Sequence, residues 1–276
     1  MALVLCQQVE TNIPIEVNGI TPDRLSGKSN AEIAQLTIQH GRNEIKLGEV
    51  FKVTGLMDES MALVFDGHLL GVHGIGAGQS RGTIQIETDA GRHVGCQMSG
   101  GNLCAKGNVS DYLGVEMTGG SISVTGHAGD CVGGHLPGSK FGMNRGSILI
   151  GGNVGKGLGQ AMRRGTIAVG GTAGELAGWN MLAGTIIVFG TCDANVGAGM
   201  KRGTIVLAGG VASQLLPTFA KGGSYPVPVL KMLARWLEQK NFPGDVDRLR
   251  STFEVFDGDM LNGGRGELFV ASESTH

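Results

Sequence analysis

The chain repeats itself. Glycine, then Ser, Thr or Asn, then apolar residues two and four places on recur from Gly82, Gly101, Gly120, Gly146, Gly165, Gly184 and Gly203, so that five of the six spacings are 19 residues and one is 26. A 19-residue segment cannot bury an apolar core by itself, whereas stacked copies can, and a fixed period of this size reads as a solenoid. Two residues after each leading glycine stand Ile84, Leu103, Ile122, Ile148, Ile167, Ile186 and Ile205, and four after it Ile86, Ala105, Val124, Ile150, Val169, Val188 and Leu207. That alternation of β-branched residues predicts a strand in every repeat. Further round, small apolar residues recur from Ala90 to Cys192, then a second apolar position from Val94 to Val196 that is followed each time by glycine. Met98, Met117, Met143, Met162, Met181 and Met200 share one phase. If successive copies pair as parallel strands about 4.8 Å apart, these thioethers stack into an internal column, each buried side chain contributing roughly 1.5–3 kcal/mol.

A left-handed hexapeptide helix needs multiples of six, which 19 is not. The expected fold is therefore an all-β solenoid, a right-handed parallel β-helix of about seven to eight 19-residue coils, with the hand taken from the crossover rule. It runs over residues 61–210, with small mixed α/β caps at 1–60 and 211–276. Caps are needed because an exposed coil end is an unpaired strand edge. The N-terminal segment predicts strands at Leu3 to Cys6 and Ile13 to Val17, a helix start at Thr21-Pro22-Asp23 and a short helix led by Ser29 with Ile33 and Leu36 inward. The C-terminal segment predicts a helix from Pro226 and Pro228 to about Gln239 with Leu230, Leu233 and Leu237 on one face, then strands near Phe253 to Phe256 and Glu267 to Val270.

Fifty glycines and 5% aromatics suit such a stack, where glycine marks corners, better than an ordinary core. A formal charge of −2 with dispersed signs gives no footprint for nucleic acid. Five cysteines without a CxxC fit neither a zinc knuckle nor a disulfide framework, and point to a reducing cytoplasm. No apolar stretch reaches the length of a membrane span, and the N-terminus lacks a basic region that would open a signal peptide.

Candidate chemistry is sparse. Gly74 to Gly78 and Gly155 to Gly159 mimic nucleotide loops, but each leads into a strand rather than a helix, so they read as corners. Ten residues after the leading glycine, Arg92, Asp111, Asp130, Lys156 and Glu175 form a ladder. Asp111 and Asp130 would lie about 5 Å apart, near the separation of a retaining glycosidase pair, or else form a neutralised surface ladder between Arg92 and Lys156. His68, His73, His93, His127 and His135 share no phase, which disfavours a metal site. No residue is assigned a catalytic, cofactor-binding or metal-ligating role.

The outward position three after the leading glycine runs Gln85, Cys104, Ser123 and then Leu149, Ala168, Ile187, Val206. Its apolar half requires cover, from the C-terminal helix or from a partner subunit; the partner is the working expectation, under which Ile187→Asp leaves a folded rod that no longer assembles. Just before the leading glycine Arg81, Arg145, Arg164 and Arg202 share one register, and an acidic partner face would relieve their repulsion. The 26-residue repeat carries a seven-residue insertion within Gly134 to Gly142, with Pro137, Lys140 and Phe141 as a docking point. The expected partner interface is thus Leu149, Ile187, Val206, Arg145, Arg164, Arg202, Pro137, Lys140 and Phe141.

With the repeat in place, the chain resembles the GXGXG β-helix family, which includes the C-terminal domain of the glutamate synthase large subunit and the C subunit of formylmethanofuran dehydrogenase. The stretch from Thr21 to Ser29, the segment Glu32 to Leu36 and the run His40 to Phe51 are similar to the cap of the latter, in wording more like the bacterial C subunit of the formyltransferase/hydrolase complex of methylotrophs. The resemblance implies a noncatalytic scaffold in a complex that passes a formyl group from formyl-tetrahydromethanopterin to a methanofuran-type carrier and releases formate in formaldehyde oxidation. It implies formyltransferase-like, amidohydrolase-like and molybdopterin-subunit-like partner chains, with carrier, pterin and metal site held by those partners, and no nucleic acid or membrane. Methanofuran's glutamate-rich tail is a further candidate for the basic edge. The alternatives are the C subunit of a molybdenum or tungsten formylmethanofuran dehydrogenase in methanogenesis, a glutamate synthase-type module, and a polysaccharide-active enzyme using Asp111 and Asp130.

Overall fold

In the computed structural model, which describes residues 2–272, each glycine signature opens a short strand that pairs in parallel with the strand of the next repeat. The chain is mostly β. Strands β1 (Leu3–Gln7) and β2 (Ile15–Glu16) precede helices α1 (Pro22–Leu25) and α2 (Asn30–Ala34), then the hairpin β3 (Thr37–His40) and β4 (Asn43–Lys46), helix α3 (Leu47–Val50) and β5 (Phe51–Thr54). After β6 (Ala62–Asp66) and β7 (Val72–His73), one strand falls in each repeat: β8 (Thr83–Ile86), β9 (Asn102–Ala105), β10 (Ser121–Val124), β11 (Ser147–Ile150), β12 (Thr166–Val169), β13 (Thr185–Val188) and β14 (Arg202–Leu207). The chain ends in β15 (Ala220–Pro226), α4 (Pro228–Gln239), β16 (Thr252–Gly258) and β17 (Arg265–Ala271).

The register stacks like on like. Ile148 is the partner of Ile167, Ile167 of Ile186 and Ile186 of Ile205, and each of the four is 0% exposed. A second line of parallel bridges links Ala90, Val109, Ala128, Val154, Ala173, Cys192 and Val211. A third joins successive layers where the Gly159 N–H donates to the Val132 carbonyl at 2.7 Å and the Gly178 N–H to that of Leu158 at 2.7 Å. The six phased methionines are all fully buried, as the repeat requires. Glycine follows the second apolar position for a steric reason: Gly159 has φ +64° and a Cβ there would stand 2.5 Å from Ile186 Cδ1. Side chains do occupy left-handed backbone two residues earlier, at His93, Tyr112 and Leu176, where they point away from the core.

Both ends extend the ladder instead of merely covering it. The 13-stranded sheet runs β15-β16-β17-β14-β13-β12-β11-β10-β9-β8-β6-β1-β5. At one end β1 pairs in parallel with β6 in the core phase, Leu3 against Leu63, and antiparallel β5 closes over it. At the other, the chain leaves after β14, returns, and adds β17 as a parallel rung with Arg202 against Arg265 and Ile205 against Leu268. β16 and β15 then follow antiparallel. A small sheet, β4-β3-β2-β7, ties the N-terminal segment to the first repeat. The Ser29 capping box starts α2 and buries Ile33. The second strand begins at Ile15, not Ile13: Pro14 has no N–H to offer a ladder, and Ile13 is half exposed.

Helix α4 begins at Pro228, with Pro at the position where a missing N–H costs nothing. Its Leu230, Ala234 and Leu237 bury against Leu149, Ala168, Ile187 and Val206. This corrects the expectation that Leu149, Ile187 and Val206 meet a partner subunit, for they are 6%, 0% and 0% exposed within the chain itself. The physical reason is mutual: the strand face and the helix face each carry an apolar stripe that must leave water, and a connection within one chain brings them together. The Phe189 and Phe242 rings, 5.4 Å apart, seal one end of this second core.

Candidate functional site

The carboxylate ladder is occupied by the backbone. Asp111 Oδ1 accepts the Asp130 N–H at 2.8 Å, and Asp130 Oδ1 accepts the Lys156 N–H at 2.7 Å. A parallel ladder three residues earlier uses Asp89, Asn108, His127 and Asn153 in the same way, each side chain receiving the N–H of the next layer at 2.7–2.9 Å. Each side chain thus satisfies a backbone donor at a turn where no strand ladder reaches it. Asp111 and Asp130 are adjacent as expected, but one oxygen of each is engaged in holding layers together.

The five histidines do not converge on one site. Among the described residues no group of three or more His, Cys, Asp or Glu side chains is placed to hold a metal ion. His68 pairs with Glu10 at 2.8 Å, His127 belongs to the turn ladder, and His135 contacts Gln160 at 2.9 Å. His73 and His93 do come together, in an open pocket of about 510 Å³ between the N-terminal segment and the first repeats, with Glu16, Arg24, Cys96 and Gln97 also lining it. Burial pushes both imidazoles below their usual range, and the nearby Arg92 guanidinium adds to the effect. His73 Nδ1 accepts the Arg92 N–H at 3.0 Å, and the His93 ring stacks on Tyr112 at 5.1 Å. The thiol of Cys96 is raised to about 11 by burial, so it offers no nucleophile at neutral pH.

The insertion is pinned from both sides. The Leu136 N–H donates to Glu116 in the preceding repeat at 3.2 Å, the His135 ring meets Gln160 in the following one, and the Gly142 N–H donates to the Ala161 carbonyl at 2.9 Å. Burial would raise the Glu116 carboxyl, but hydrogen bonds from Gln97, Ser139 and the Leu136 N–H hold it below its usual range. The loop therefore projects Pro137, Lys140 and Phe141 into solvent from a fixed base, with the Arg163 guanidinium 5.1 Å over the Phe141 ring. Arg145, Arg164 and Arg202 are exposed beside it, one register along the stack.

The structure adds residues that the period does not mark. Arg265-Gly266-Glu267-Leu268-Phe269-Val270 repeats the form of Arg202-Gly203-Thr204-Ile205-Val206-Leu207, and Arg265 lies directly beside Arg202. Glutamate in the place of Ser, Thr or Asn and a gap of 63 residues hide it from a search by period. Trp179, 37% exposed, lies one layer from Ala161, whose N–H donates to its carbonyl. Met260 and Leu261, 49% and 82% exposed, stand on a turn whose buried Asp259 accepts N–H groups from Gly199 and Leu261. Nothing in the sequence marks Trp179, Met260 or Leu261 as exposed.

No family model matches the chain. In sequence it is 37% identical over 80 residues to the C subunit of the formyltransferase/hydrolase complex Fhc of Methylorubrum extorquens, 29% of each chain. It is 32% identical over 96 residues to the C subunit of the tungsten-containing formylmethanofuran dehydrogenase 2 of Methanothermobacter thermautotrophicus, covering 34% of this chain and 36% of the relative. With the C subunit of the molybdenum-containing formylmethanofuran dehydrogenase 1 of Methanosarcina barkeri it shares 36% over 95 residues, 33% of this chain and 32% of the other. These alignments thus span about a third of the curated relatives. In structure the match is end to end: a chain of the X-ray structure of the formyltransferase/hydrolase complex from Methylorubrum extorquens, in complex with methylofuran, superimposes with a TM-score of 0.90 and 35% identity over 98% of this chain and 100% of its own length. The chain therefore belongs to the family of C subunits found in formyltransferase/hydrolase and formylmethanofuran dehydrogenase complexes.

Proposed function

We propose that this chain is the noncatalytic scaffold subunit of a formyltransferase/hydrolase complex, in which partner subunits move a formyl group from a pterin carrier to a methanofuran-type carrier and release formate. The observation that carries this reading is the likeness, at 35% identity over nearly all of both chains, to a component of a complex that holds methylofuran. The engagement of Asp111 and Asp130 by backbone N–H groups supports a structural use of the stack over a polysaccharide-cleaving one. We read the stack as a right-handed parallel β-helix over residues 61–210, flanked by caps at 1–60 and 211–276; the three lines of contact between layers support that reading. The partners are formyltransferase-like, amidohydrolase-like and molybdopterin-subunit-like chains, which carry the pterin, carrier and metal sites, and the assembly works in the cytoplasm. Arg145, Arg164 and Arg202 with Pro137, Lys140 and Phe141 form the surface that meets them.

A second reading, the C subunit of a formylmethanofuran dehydrogenase, is favoured by the likeness to the methanogen proteins. The same scaffold serves either direction of formyl flux. Native purification of the tagged chain, co-expressed with the companion subunits of its own organism, tests the proposal. Recovery of a complex that releases formate from formyl-methanofuran, with no turnover by the isolated chain, is the expected result. Turnover by this polypeptide alone, or its recovery with a flavin and iron–sulfur synthase, overturns it.

A further inference from the structure

One edge of the stack collects cations that no carboxylate among the described residues pairs with. Arg145 and Arg164 stand two residues before β11 and β12, and Arg202 and Arg265 open β14 and β17, successive or near-successive strands of the ladder. Arg163 and Lys201 sit one residue before Arg164 and Arg202. All six are exposed, and among the described residues none forms an ion pair or a side-chain hydrogen bond with a carboxylate. The carboxylates at the margins are committed elsewhere, Glu267 to the Thr204 hydroxyl at 3.1 Å and Glu116 to the base of the insertion. From β11 to β17 the row crosses four strand spacings, about 19 Å at ~4.8 Å each.

Stacked like charges cost free energy in the isolated chain, all the more where the side chains share one register. Elsewhere on the surface Lys106, Lys156, Lys221 and Arg250 each pair with a glutamate. The edge also carries the apolar and aromatic groups that dominate binding energy at interfaces. At one end is Phe141 under Arg163, and at the other are Met260 and Leu261 on the turn fixed by Asp259. Between the arginine pairs, the layer that leads into β13 offers Leu182 and Ala183 in place of cations, with Trp179 just before them. Apolar anchors at both ends with cations between them fit a linear partner better than a globular one.

We infer that this edge, from the Phe141 loop to the Leu261 turn, holds an extended acidic segment of another subunit, whose carboxylates meet the arginine row and whose apolar side chains seat at its ends. The inference rests on the proposed role as a scaffold and names what the basic edge takes: an acidic polypeptide rather than nucleic acid. Charge complementarity selects the sign of the partner, and the two apolar ends select a polypeptide over a phosphate backbone.

The test uses the co-expressed complex. Arg164→Glu/Arg202→Glu should fold and melt like the wild type, since both side chains are exposed and unpaired, yet retain the companion subunits roughly tenfold less well. Arg164→Lys/Arg202→Lys should retain them, and Leu261→Asp should lose them. In the assembled wild type, a carbodiimide, which joins amines to carboxylates without a spacer, should cross-link Lys140 and Lys201 to Asp or Glu of a companion subunit. Any of three results overturns the inference: assembly of Arg164→Glu/Arg202→Glu at wild-type level, equal loss in Lys231→Glu/Arg235→Glu on α4, or Lys140 and Lys201 acetylated as fast in the complex as in the free chain. Recovery of RNA whose digestion dissolves the complex would likewise overturn it. If the wild type joins no such complex, the scaffold reading falls; if wild type and reversal variant assemble alike, only this inference does. Should the reversal variant misfold, the cross-linking of the wild type still decides.

Discussion

Two columns of side chains run along the same stack and ask for cover in opposite ways. The outward strand column from Leu149 to Val206 is apolar and the chain covers it with its own helix; the turn column from Arg145 to Arg265 is cationic and stays open. Hydrophobic surface costs free energy in the monomer in proportion to its area, so a chain long enough to fold back removes it. A row of solvated arginines is tolerated in the monomer because water and salt screen it, so it can wait for a partner. Burial within the chain and readiness for assembly are thus separated by chemistry on adjacent faces of one ladder.

The comparison predicts its own mutational spectrum. Ile187→Asp places an unpaired carboxylate at a site with 0% exposure and should destabilise the chain by more than ~3 kcal/mol in urea denaturation. A folded Ile187→Asp protein that merely fails to assemble would return the apolar column to the interface and break the contrast. Gly159→Ala, which sets a methyl 2.5 Å from Ile186 Cδ1 on left-handed backbone, should cost about 2–4 kcal/mol, read as a lower thermal midpoint.

The buried thiols sharpen the contrast through pH. Burial raises Cys192 to about 12 and Cys96 to about 11 from an ordinary value of 9.0. A folded chain then holds protons that the unfolded chain releases, so stability should fall as pH rises above about 9, each thiol contributing at most about 1.4 kcal/mol per pH unit. The loss should level off above the folded values. Urea midpoints measured across that alkaline range check it, and Cys192→Ala should flatten the curve. The smallest effect belongs to the turn ladder. Asp130→Asn keeps an oxygen acceptor for the Lys156 N–H and should stay within about 0.5 kcal/mol, whereas Asp130→Ala should lose about 1 kcal/mol. A collapse of complex activity in Asp130→Asn with the fold intact would give that carboxylate a chemical role after all.

Much of the site was legible because it is periodic. Arg145, Arg164 and Arg202 share a register that the spacing displays, and the insertion shows as the one repeat that breaks the period. Arg265 was hidden because its strand joins the ladder after 63 residues of excursion, and Leu261 because nothing local marks an apolar residue as held out on a turn. The error over Leu149, Ile187 and Val206 has a similar origin. The sequence displays both the stripe and the Leu230, Leu233, Leu237 face of the helix, yet pairing them is a choice among covers of equal chemistry.

Taken alone, the amino-acid sequence determined everything that depends on position within one repeat: the strand phase, the methionine column, the obligatory glycine and the register of charges. A nearest-neighbour stack makes these the same at every layer, so they can be read without coordinates. Tertiary structure decided what depends on the return of distant chain: β1 and β17 serving as further rungs, α4 closing one face, and the arginine edge remaining bare. Such contacts turn on where the chain goes after it leaves the ladder, and that path follows from the competition between whole surfaces for burial, which no local pattern records.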